Sequence, residues 1–173
     1  ELAIVRSPKT PQLHYWFGKF LLHSEENVDE AVEQFRIAHD LDLDSTEVSL
    51  ALARGYLFQH EFDETQKLLI QLSPNISTAD DHLQKIYRDT EIQVLYRRGD
   101  DFSKSGNFGE AMGCLEEMRA KFQDLNEKHK DKHIRQKLTK CNYMLQKILN
   151  SPRDDLNARA SEMCSWIESE SIS

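Results

Sequence analysis

At 173 residues the chain is long enough for one domain with a sizeable core, or for one short repeat array. Hydrophobic residues at 39% and charged residues at 30% suit a soluble helical protein better than a disordered one, and six Gly and four Pro are too few for the many turns of an all-β fold. A net charge of −8 argues against a general nucleic-acid binder, which needs cationic excess to displace phosphate counterions, and no apolar run has membrane-spanning length.

The amino terminus, Glu1 to Arg6, is too short for a signal peptide, and the missing initiator Met points to a piece of a longer protein. Leu2, Ala3, Ile4 and Val5 read as the tail of a preceding helix or a linker over residues 1–11, after which Thr10-Pro11 opens the first complete helix. An offset of 34 then lays the chain on itself. Leu22 meets Tyr56, Val28 meets Phe62, Phe35 meets Leu69 and Ala38 meets Leu72. A third copy lies 46 residues further on, where Tyr56 meets Phe102, Phe62 meets Phe108, Thr65 meets Ala111 and Leu69 meets Leu115. Each copy reads as two helices joined by a short polar turn. Val28, Ala31, Val32, Phe35 and Ala38 recur at steps of one face of a helix, as do Phe108, Ala111, Met112, Leu115, Met118 and Phe122. One helix pair cannot bury such a face alone, so neighbouring pairs must stack.

The 12 extra residues before the third copy predict one long helix from about Thr78 to Lys104, capped by Ser77 or Thr78, with Asp80 and Asp81 in its first turn. Ile134, Leu138, Cys141, Leu145 and Ile148 then form a short heptad-like seam, expected to pack on the last repeat rather than in a dimeric coiled coil. A final helix is expected to open at Ser151-Pro152, with Ser as cap, to present Leu156, Ala160, Met163 and Ile167 to the core, and to fray over 169–173.

Copy three, with Gly99, Phe102, Gly106, Phe108, Ala111 and Leu115, resembles the tetratricopeptide repeat, in which a small residue and an aromatic precede a turn and an Ala-x-x-x-aromatic-x-x-Ala run. Copy one keeps Ala31, Phe35 and Ala38 but has Lys19 at the small position, or Gly18 with a one-residue slip; copy two has Thr65 in place of the alanine. The resemblance covers residues 12–123. It implies an all-α fold: a right-handed superhelical array of antiparallel helix pairs, a tetratricopeptide-like α-solenoid, with a long inserted helix and C-terminal capping helices. The repeats divide the chain into 12–76 (two repeats), 77–123 (a third, extended repeat) and 124–173 (a helical cap).

The resemblance also implies a protein or peptide partner held in the groove lined by the first helix of each pair. Its register puts Trp16, Phe17, Phe20 and His23, then Glu47, Leu50, Arg54 and Leu57, then Gln93, Tyr96, Arg97 and Asp100 along that groove. Trp16, Phe20, Leu50, Arg54, Tyr96 and Arg97 are the candidate contacts, because aromatics and Arg dominate binding hot spots. Burial of Trp16, Phe17 and Phe20 against a neighbouring helix is the alternative. Trp16, Phe20, Ala51 and Gln93 stand where the carboxylate-clamp variant of the family needs Lys and Asn, so a chaperone clamp is not expected.

No phosphate-cradling loop or nucleophile elbow is present, and an enzyme is not expected. His129 and His133 share a helical face without a third ligand, so neither a metal nor another cofactor is expected. Cys114, Cys141 and Cys164 read as small core or boundary residues in a reducing compartment, which suggests the cytoplasm, with the nucleus as alternative. Lys128, Lys130, Lys132, Arg135 and Lys137, with Lys140, form a basic stretch that is either the wet face of the seam helix or a patch for an acidic peptide, a phosphate backbone or a membrane surface. Residues 24–47, by contrast, carry nine acids against Arg36 alone. The functional expectation is a protein-interaction scaffold. A sensor or regulatory segment of a larger signalling protein is the alternative, and an RNA-binding helical repeat comes third.

Overall fold

The computed structural model describes residues 9–23, 27–125 and 132–172. Among these residues it contains eight helices and no strand. They are α1 (Pro11–His23), α2 (Val28–Leu41), α3 (Thr46–Phe58), α4 (Phe62–Ile76), α5 (Asp81–Lys104), α6 (Phe108–Asp124), α7 (Lys132–Leu149) and α8 (Asp154–Ile172). The chain forms two compact units, Glu1–Glu91 and Ile92–Ser173. The repeat boundary at 76/77 falls inside the first and that at 123/124 inside the second. The apolar tail expected at Leu2–Val5 lies outside the described residues.

In the first unit, helices adjacent in sequence pack on one another, α1 on α2, α2 on α3 and α3 on α4. Pro11 is the first residue of α1, where its missing N–H costs nothing. His14, Tyr15, Gly18 and Leu21 line its buried side. They meet Ala31, Val32, Phe35 and Ala38 of α2, all but excluded from solvent. Gly18 is the close-approach position of α1, where an added Cβ would meet the Phe35 ring. Helix α3 buries more than one stripe, Val48, Ser49, Leu50, Leu52, Ala53, Gly55 and Leu57, as a helix covered on several sides must. Thr65 of α4, which the 34- and 46-residue offsets lay on Ala31 and Ala111, is fully buried, and its hydroxyl donates to the Glu61 carbonyl at 2.8 Å. The first part of α5 is tied to α4 by the Tyr87 hydroxyl, which donates to the Leu69 carbonyl at 3.0 Å.

The second unit is centred on α6, α7 and α8. Met112, Leu115, Met118 and Phe122 pack with the whole predicted seam of α7 and with Leu156, Ala160, Met163 and Ile167 of α8, all at most 2% exposed. The seam therefore closes on its own unit. Ion pairs between Arg159 and Glu116, and between Arg119 and Glu162 at 2.8 Å, join α8 to α6 at the surface.

The turns of the second and third pairs match bond for bond at the 46-residue offset. Glu61 N donates to Tyr56 O and His60 N to Leu57 O; Asn107 N donates to Phe102 O and Gly106 N to Ser103 O. This is the Schellman closure, which needs one residue in the left-handed region. Gly106 supplies it with φ 81°, and His60 supplies it with φ 62°.

Two helix starts differ from expectation for one physical reason. The cap of α5 is Asp80, whose carboxylate accepts from Leu83 N at 2.8 Å. Ser77 and Thr78 instead donate their hydroxyls back to Pro74 O and Asn75 O, finishing α4. Likewise the buried Ser151 hydroxyl donates to Ile148 O at 2.6 Å and finishes α7, so α8 opens at Asp154, two residues after Pro152. A hydroxyl between two helices can accept for the second or donate to the first, and here it does the latter. Helix α8 extends through Ile172, across the stretch expected to fray.

Candidate functional site

In the first unit, polar and aromatic side chains meet on the side of α1 that faces α3. Tyr15 is 6% exposed, and its hydroxyl donates to Glu47 Oε1 at 2.6 Å. The Tyr15 hydroxyl oxygen in turn accepts from Lys19 Nζ at 3.1 Å. That ammonium lies 5.0 Å from the Tyr15 ring centre and 4.7 Å from that of Trp16, within cation–π range of both. Burial, then the bond to Glu47 and its negative charge, push the pKa of the Tyr15 hydroxyl far above its ordinary value, while Arg54 pulls the other way. Tyr15 therefore stays a neutral donor that fixes Glu47, and it cannot serve as a base near neutrality.

A cleft of about 60 Å³ opens beside this chain of bonds. Lys19, Glu47, Arg54 and His82 supply its polar rim, and Leu22, Phe35, Leu50, Ala51, Leu83 and Ile86 its apolar lining. Ligand pockets run to roughly 300–1,000 Å³. This one admits the tip of a side chain rather than a metabolite. On the same helix, Trp16 is 60% and Phe20 74% exposed. Trp16 stands edge-on to Tyr15 at 5.2 Å, so it is braced from below while its outer face meets solvent.

The sequence-derived residues are thus distributed unevenly. Trp16 and Phe20 are exposed, and Phe17 is half-buried against the core. Arg54 lines the cleft, while Leu50, at 1% exposure, belongs to its floor and presents almost no surface. Tyr96 and Arg97 lie in the second unit, both half-buried. Tyr96 packs against that unit's core, and burial, with the Asp100 charge, raises its hydroxyl pKa. The Tyr15–Glu47 bond was not anticipated. Its partners lie 32 residues apart on separate helices, so no local or periodic pattern pairs them.

In the basic stretch, Lys132 is exposed, Arg135 donates to the Glu170 carbonyl at 2.8 Å and Lys137 is half-buried. Lys128, Lys130, His129 and the His133 side chain lie outside the described residues. The three cysteines are free thiols, Cys141 buried and Cys114 and Cys164 half-buried, at core and boundary positions. Among the described residues no three His, Cys, Asp or Glu side chains gather as a metal site would require, and no helix is long and apolar enough to cross a membrane. No family model matches the chain, and neither a curated protein nor a solved structure matches it.

Proposed function

We propose that the chain is a protein-interaction scaffold, a tetratricopeptide-like array of helix pairs that captures a segment of a partner protein without chemistry of its own. The observation that carries this reading is the exposure of Trp16 and Phe20 on a rigid helix, beside a cleft rimmed by Lys19 and Arg54. Large apolar side chains left in water on a packed element mark interaction surfaces, and Trp and Arg dominate hot spots. The mixture of aromatic surface and cations suits a helix or extended segment with aliphatic anchors and some acidic residues. The small cleft would take one anchor side chain, and Arg54 would meet a carboxylate beside it.

Cross-linking capture from the source cell, with the chain as bait, tests this. Trp16→Ala with Phe20→Ala, and separately Arg54→Ala, should reduce recovery of the captured partner by tenfold or more while the far-ultraviolet circular dichroism stays that of the parent. Undiminished capture by all three substitutions would rule out this face as the binding site.

A further inference from the structure

Helix α7 carries five cations, Lys132, Arg135, Lys137, Lys140 and Lys147, and no acid. Its inward seam is fully occupied by the core. On the opposite side, Lys132, Gln136, Lys140, Tyr143 and Lys147 follow at steps of four, four, three and four, a single outward stripe about 22 Å long at ~1.5 Å per residue. Tyr143 is 64% exposed, with Lys147 Nζ 4.7 Å from its ring centre. The wet face of a helix needs charge, but it does not need one sign of charge, nor an exposed aromatic in its middle.

The last residues of α2 and the turn that leads to α3 have the complementary chemistry. They read Asp40-Leu41-Asp42-Leu43-Asp44, with Leu41 40% and Leu43 67% exposed between the carboxylates. Their backbone is held by Asp42 N on Ala38 O and by Ser45 N on Asp42 O, so the side chains are presented on a fixed frame. A segment that only had to be solvated has no use for two leucines in water. The division of charge along the chain runs the same way: residues 1–91 hold 17 acids and 8 Lys or Arg, whereas residues 92–173 hold 13 acids and 14 Lys or Arg.

We infer that the outward stripe of α7 binds the Asp40–Asp44 segment of a second copy of this chain, the lysines meeting the aspartates and Tyr143 meeting Leu43. Every copy carries both surfaces, so the contact is head-to-tail and can continue from copy to copy. A polyanion such as RNA, or an anionic lipid surface, would meet the same stripe, but the rest of a chain of net charge −8 would repel it. A contact made of exposed ion pairs is weak and sensitive to salt.

The test is light-scattering mass of the full chain across a dilution series, at ~10 mM salt, where screening reaches about 30 Å, and at ~1 M, where it reaches about 3 Å. Mass rising with concentration at low salt, and monomer at high salt, is expected. Lys140→Glu with Lys147→Glu should abolish the association, and so should Asp40→Lys with Asp44→Lys. Mixing the two double variants should restore it, because each then offers the other an opposite charge. A chain that stays monomeric at low salt overturns the inference. So does a mixture that stays monomeric, or binding of RNA or phosphatidylserine vesicles through α7 by a chain that does not self-associate. Circular dichroism of each variant establishes that the helices are intact.

Discussion

Gly18 stands against the ring of Phe35: a Cβ added at residue 18 would lie 2.7 Å from the ring Cε1 and 3.1 Å from the Ala31 carbonyl oxygen. Phe35 is wholly buried, so the ring has nowhere to swing, and a backbone oxygen closes the other side. The approach of α1 to α2, and with it the setting of Tyr15 and Trp16, depends on the absence of that one carbon.

Gly18→Ala is therefore expected to destabilise the chain. Overpacking costs ~1–3 kcal/mol, and the gain in helix propensity returns only about 1 kcal/mol. Gly113, in the middle of α6, has nothing within 4 Å of its added Cβ. There the propensity gain stands alone, and Gly113→Ala should stabilise by about 0.5–1 kcal/mol. Urea midpoints of the two variants against the parent, moving in opposite directions, check the pair.

Asp80 is the only residue between α4 and α5 whose side chain accepts from the first turn of α5. Asp80→Ala should cost ~1 kcal/mol, the usual value of a lost N-cap, and Asp80→Asn much less. Ser77→Ala and Thr78→Ala, which remove donors to solvent-exposed carbonyls, should stay within about 0.5 kcal/mol of the parent. Thermal melts of the four variants would show whether the start of the long helix is set by the aspartate or by the hydroxyls.

Cys141 is fully excluded from solvent, and burial pushes its thiol up from the ordinary 9.0 to about 12. Between those values the unfolded chain has lost the proton and the folded chain keeps it. Stability from this group is complete below pH 9 and falls as pH rises towards 12, by about 1.4 kcal/mol per pH unit. Cys141→Ala should make the alkaline loss of stability shallower by up to that slope, measured by denaturation at pH 8 to 11. In the native chain near pH 8, a thiol reagent should modify Cys114 and Cys164 well before Cys141.

Much of the fold was legible because its signals are local and periodic. The 46-residue offset aligned Tyr56 with Phe102 and Phe62 with Phe108, and the structure builds both turns with the same backbone bonds. The α7 seam was legible for the same reason, since five apolar residues at steps of four and three leave a helix one way to face the core. The caps were not, because the choice at Ser77, Thr78 and Ser151 depends on which helix end lies within reach of a hydroxyl. The burial of Leu50, a candidate groove contact, was not legible for a related reason. The repeat's register takes the first helix of a pair as half-open, whereas α3 is buried on several sides. The Tyr15–Glu47 pair, 32 residues apart, exists only once α1 and α3 have come together.

The two tryptophans turn this chain into its own optical instrument. Trp16 lies in the first unit with its outer face in water. Trp166 lies in the second, half-buried edge-on to Phe122 at 5.7 Å, with the Arg119 guanidinium 5.4 Å from its ring centre. One indole emits from a wet environment and is open to iodide quenching; the other is shielded by a ring and a cation. Each unit thus has a separate fluorescent reporter, and a ligand that covers α1 would dim or shift one colour while leaving the other unchanged.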